Sequence, residues 1–84
     1  MGTFWLSDGR EYDVVDRGYA NATSLVMLLS VRRYDGRGRA QEVMVFEWDE
    51  RTGAIEGTAT VSGIGAELVQ EARRHVLQAI PTRH

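Results

Sequence analysis

Residues 24–49 constrain the fold more than any other part of the chain. They read SLVMLLSVRRY, then DGRGR, then AQEVMVFEWD: two apolar runs joined by a connection of glycine, arginine and aspartate. Runs of this kind on either side of turn-forming residues are the pattern of a β-hairpin. Pairing Tyr34 with Ala40 closes a loop over 35–39, and strict alternation then assigns two faces. Leu25, Met27, Leu29, Val31, Val43 and Val45 fall on one. Val26, Leu28, Tyr34, Met44, Phe46 and Trp48 fall on the other, interrupted by Ser30, Arg32 and Glu42 toward the tip. Away from the tip both faces are apolar, and a strand pair of that kind needs cover on both sides.

The rest of the chain must supply that cover, or a partner must. A chain of 84 residues is expected to form one domain over 1–84. At this size only roughly 60–65% of the unfolded surface is buried, so the stability margin is narrow. The composition, 43% hydrophobic and 26% charged, is that of a folded domain. There is no cysteine, so neither a disulfide framework nor a thiolate metal site is expected. No apolar run approaches the ~20 residues of a membrane span, and residues 1–7 lack a basic secretory n-region. The expected location is cytoplasmic, where the sequon at Asn21 carries no glycan.

Before the central hairpin, residues 3–7 and 10–16 flank Ser7-Asp8-Gly9. A three-residue loop with left-handed glycine sets Phe4 against Tyr12 and Leu6 against Arg10. Phe4, Leu6, Tyr12 and Val14 then share one side, with Thr3, Trp5, Glu11 and Asp13 on the other. Residues 17–23 have no period and read as a connection. After the hairpin, pairing Glu50 with Ala54 makes residues 54–62 a fifth strand, with Val43 against Val61 and Val45 against Ala59. Ile55, Ala59 and Val61 join the Leu25 face.

Residues 66–80 recur with helical spacing at Leu68, Val69, Ala72, Val76, Ala79 and Ile80, with Leu77 widening the stripe. Glu67 and Glu71 come early and Arg73, Arg74 and His75 late, as the helix dipole favours, and Pro81 stops the run. The expectation is an α+β fold: a five-stranded antiparallel sheet of meander type with one C-terminal α-helix packed on one face. A helix of ~16 residues spans ~24 Å and covers one face of a small sheet.

An aliphatic helix stripe matches the aliphatic Leu25 face, which leaves Val26, Leu28, Met44, Phe46 and Trp48 uncovered. Exposing them forfeits ~1.5–3 kcal/mol apiece in a domain whose whole margin is ~5–10 kcal/mol. Either the N-terminal ribbon folds back over them or a second copy does. The dimer is preferred, because a two-stranded ribbon more often extends a sheet than caps it, and aromatics and methionine also suit contact with another protein.

The tip holds Arg32, Arg33, Tyr34, Arg37 and Arg39, a set able to follow a phosphate backbone and stack on a base, with Arg17 and Arg51 as auxiliaries. A solvated turn that guards an edge explains the same residues. All ten basic residues are arginine, a composition that codon bias explains as well as guanidinium chemistry does, and the formal charge of −2 argues against nucleic-acid binding over the whole surface. Gly63-Ile64-Gly65 sits between strand and helix, where backbone N–H groups can hold an anion. Leu68 stands where a dinucleotide fingerprint wants glycine, so a tight turn is the better explanation.

Asp8, Glu11, Asp13 and Asp16 fit no calcium loop, His75 reads as a rim residue and His84 as a frayed terminus, and no serine has a nucleophile's context. The residues therefore point to a non-enzymatic protein-binding or regulatory module, with no cofactor and no metal, homodimeric through Val26, Leu28, Met44, Phe46 and Trp48 and serving a further protein partner. Nucleic-acid binding through Arg32, Arg33, Tyr34, Arg37 and Arg39 is the alternative, and an anion or nucleotide at the Gly63 to Gly65 turn the third reading.

Overall fold

Phe4 lies opposite Tyr12, and the Leu6 N–H donates to the Arg10 carbonyl across the Ser7-Asp8-Gly9 loop. The first ribbon thus forms in the expected register, between β1 (Thr3–Trp5) and β2 (Glu11–Tyr19). The computed structural model describes residues 2–80; Pro81 and His84, invoked above for the helix stop and the frayed end, lie outside that range. The chain continues through β3 (Val26–Tyr34), β4 (Ala40–Asp49) and β5 (Ile55–Ala59) to α1 (Ala66–Ala79). The five strands pair in chain order, each antiparallel to the next, as one open meander. The N-terminal ribbon extends the sheet and does not fold back over it.

β2 runs three residues further than the sequence suggests. Asp16 pairs with Leu29, and the next pair is Tyr19 with Met27, so a bulge absorbs Arg17 and Gly18. Gly18 has φ +79° and its N–H donates to Asp16 Oδ1 at 2.7 Å, a local bend that sequence periodicity does not register.

The decisive departure is in the central hairpin. Tyr34 pairs with Ala40 and Arg32 with Glu42, as alternation from the tip requires, but Val31 then pairs with Met44 and Leu29 with Phe46. Val43 is skipped. One extra residue in one strand of an antiparallel pair moves every later side chain of that strand to the other face. Met44, Phe46 and Trp48 therefore lie with Met27, Leu29 and Val31 on the helix side. Phe46 is 1% exposed and Trp48 7%, and both belong to the cluster that includes Val14, Leu68, Ala72 and Val76. The expected uncovered patch of Val26, Leu28, Met44, Phe46 and Trp48 does not exist as a patch: its three largest members are core.

A second shift follows at β4 and β5. The Asp49 N–H donates to the Ala54 carbonyl, Met44 pairs with Ala59 and Phe46 with Gly57, one residue away from the expected pairing of Glu50 with Ala54. The two one-residue shifts cancel across β4, so Ile55 and Val61 still pack against the core, as expected. Phe46 lies over Gly57. A Cβ built on that glycine would come within 2.6 Å of Phe46 Cε1, and a ring buried on every side has nowhere to go. Gly57→Ala is expected to lower stability by about 1–3 kcal/mol in urea unfolding, with part of the loss recovered when Phe46 is also shortened to leucine.

α1 turns Leu68, Ala72 and Val76 into the core. Val69 and Leu77, at the edge of the apolar stripe, are exposed, because the helix meets the sheet along a band narrower than its apolar arc. Near the far end of α1, His75 stacks on Phe4 with centroids 4.5 Å apart, and Phe4 stacks on Tyr12 at 5.5 Å. These rings fasten the short edge strand β1 to both β2 and the helix.

Candidate interaction surface

With α1 on one face, the other face of the sheet is open. Val15, Val26, Leu28 and Val45 contribute half-buried aliphatic side chains to it, and Ser30 sits among them. Two polar networks flank this strip. In the first, Arg32 donates to both oxygens of Asp13, Nε to Oδ1 at 3.0 Å and Nη2 to Oδ2 at 2.8 Å, while the Tyr34 hydroxyl donates to Oδ2 at 2.7 Å. In the second, Glu42 Oε2 accepts from Ser30 Oγ at 2.7 Å and from Arg17 Nη1 at 2.9 Å. Ser30 is only 2% exposed although it faces outward, because these longer side chains lie over it.

The Arg32 hydrogen bonds hold the Asp13 carboxyl below its ordinary range, against the opposing pull of burial. The same carboxylate raises the Tyr34 phenol and the Arg32 guanidinium. A depressed carboxylate pKa adds stability that is present above the unfolded value of about 4 and is lost as pH falls through the lower native value. Asp13→Asn is therefore expected to cost about 1–2 kcal/mol at neutral pH, allowing for the partial exposure of Arg32. In urea titrations, the gap between variant and parent should close as the pH drops below about 4 and through the native pKa.

The arginine-rich tip is partly self-neutralised. Besides Arg32 with Asp13, Arg39 Nε donates to Asp35 Oδ2 at 3.1 Å, and the backbone N–H groups of Arg37 and Arg39 both donate to Asp35 Oδ1. Those two backbone bonds, Arg39 first, are the main reason the Asp35 carboxyl is lowered. The auxiliaries are engaged as well, Arg17 by Glu42 and Arg51 by Asp49. Arg33 points to the helix side, opposite Tyr12, with only a 3.4 Å bond to Gln41. It borders a cleft with Arg10 at the Gly63 to Gly65 turn, where Gly63 has φ +79°. Asp8 and Glu67 line the same cleft, and Glu67 accepts from the backbone and hydroxyl of Ser7.

Sequence reasoning brought Arg32 and Tyr34 together correctly and missed their partner, Asp13, and the Ser30–Glu42–Arg17 network. Both depend on how β2 and β4 register against β3, which residue spacing alone does not fix. It also missed that Glu47 and Glu56 are direct cross-strand partners, a consequence of the shifted β4 and β5 pairing.

Comparison with protein-family models, curated proteins and solved structures finds no match to this chain. Among the described residues, no helix is long and apolar enough to cross a membrane.

Proposed function

We propose that this protein is a non-enzymatic module that works by protein contact through the open face of its sheet. The observation that carries the reading is the asymmetry of the sheet: one face is closed by α1, and the other presents Val26, Leu28 and Val45 between ordered polar networks. Side chains held by Asp13 and Glu42 need little further ordering on binding, which favours recognition by a preorganised surface. The same networks are better suited to fixing a surface than to chemistry, since each carboxylate is occupied by an arginine. Nucleic-acid binding through the tip draws on less: among the described residues, Arg33 and Arg37 are the tip arginines left without a carboxylate partner.

A photo-crosslinking residue placed at Leu28, in cells producing the full chain, tests the reading. A discrete adduct from Leu28 and none from Arg73, on the exposed side of α1, is the expected result. Adducts from neither position, or equal adducts from both, overturn it. The mass of the adduct and the solution mass of the protein separate a second copy from a different partner.

A further inference from the structure

Glu47 and Glu56 face each other directly across β4 and β5 on the open side of the sheet. Both are exposed. Like charges placed directly opposite in a sheet repel, and neither glutamate has a cationic partner among the described residues. Three other carboxylates of this face are matched by arginine, Asp13 by Arg32, Glu42 by Arg17 and Asp49 by Arg51, whereas Glu11, opposite Trp5 on the β1 side, has no such partner among the described residues. Glu47 and Glu56 also line a depression of about 210 Å³ with Val26, Asp49 and Ala54, so their charge adjoins the aliphatic strip.

We propose that the open face receives a protein segment bearing arginine or lysine, its aliphatic stem along Val26 and Leu28 and its cationic head between Glu47 and Glu56. The inference rests on the open face being the contact surface, and it names the chemistry of what docks there. A cation between two carboxylates replaces their repulsion with charge-assisted hydrogen bonds, while its methylene stem covers apolar surface. A second copy laid on this face is a poorer occupant. Among the described residues, the face's uncompensated charges, Glu11, Glu47 and Glu56, are all negative, and the arginines without a carboxylate partner lie elsewhere: Arg33 on the helix side, Arg37 at the tip and Arg73 on α1. The glutamate pair repels nucleic acid for the same reason.

The test uses the isotope-labelled full chain and two synthetic peptides of alternating leucine and arginine, identical except that citrulline, neutral and nearly isosteric, replaces arginine in the second. The arginine peptide is expected to shift the amide resonances of Val26, Leu28, Val45, Glu47 and Glu56. The citrulline peptide, and the Glu47→Gln/Glu56→Gln variant with the arginine peptide, should each bind roughly tenfold more weakly, and the variant's binding should lose its salt dependence. A variant spectrum with native dispersion establishes that the fold is unchanged. Equal binding of both peptides on the open face overturns the charge inference and leaves the contact surface standing. Shifts confined to other surfaces, or a self-adduct at Leu28 with no effect of the glutamate substitutions, also overturn it, and only the first of these removes the open face as well. An oligouridylate that shifts the tip while neither peptide touches the open face overturns both in favour of nucleic acid.

Discussion

Phe46→Ala is expected to lose about 3–5 kcal/mol, against the ~5–10 kcal/mol that a small domain has in total. The ring is buried, lies over Gly57, and shares the core with Leu29, Val31 and Val76. Truncation removes its transfer free energy and leaves a void between sheet and helix. Gly57 has no side chain to move into that void, and the strands on either side are fixed by their ladders. Circular dichroism in urea should show a transition at much lower denaturant or none at all, with Phe46→Leu intermediate. Phe46→Glu should leave no folded protein, because a carboxylate would enter the core without a partner. A folded, stable Phe46→Glu monomer would mean that the ring lies at an interface, as alternation counted from the tip implies.

Most of the architecture is legible in the residues because each element carries its own signal. Phe4, Tyr12 and Val14 alternate, the Ser7-Asp8-Gly9 turn fixes their register, and Leu68, Ala72 and Val76 recur with helical period. What was not legible turns on one residue. In β4 the odd set, Val43 and Val45, and the even set, Met44, Phe46 and Trp48, are both apolar, so a count from the tip has nothing local to correct it. A correcting signal does exist further along: beyond Val45 the odd positions become Glu47 and Asp49 while the even ones stay large and apolar. The even set is the one worth burying, and reconciling that with Tyr34 opposite Ala40 demands an extra residue near Val43. The open face shows the same ambiguity in reverse. Alternation along β3 suffices to put Val26 and Leu28 on the open face, whereas Val15, Val45 and the opposed Glu47 and Glu56 emerge only once both registers are known.

Deleting Val43 distinguishes the bulge from the straight ladder. Without it, Glu42 still opposes Arg32 and Met44 still opposes Val31, now as consecutive rungs, and alternation alone carries Glu42 outward and Met44 inward. The inside and outside of the sheet are therefore expected to survive, at a cost with two sources. A fully buried valine side chain is lost, about 2 kcal/mol, and Glu42 moves one place along β5, so the Thr60 bonds to the carbonyls of Val43 and Glu42 are broken, about 1 kcal/mol each. The deletion variant should thus be about 3–5 kcal/mol less stable than the parent, and Val43→Ala, which keeps the extra backbone unit, about half as much affected. In a Trp5→Phe background, emission from Trp48 reports the outcome, since Trp48 is buried whereas Trp5 is 60% exposed. Blue-shifted emission in the surviving folded fraction, with Leu29 still against Phe46 in nuclear Overhauser spectra, is the expected result. Red-shifted emission from a folded variant would show that the hairpin chooses its face by something other than the parity of β4.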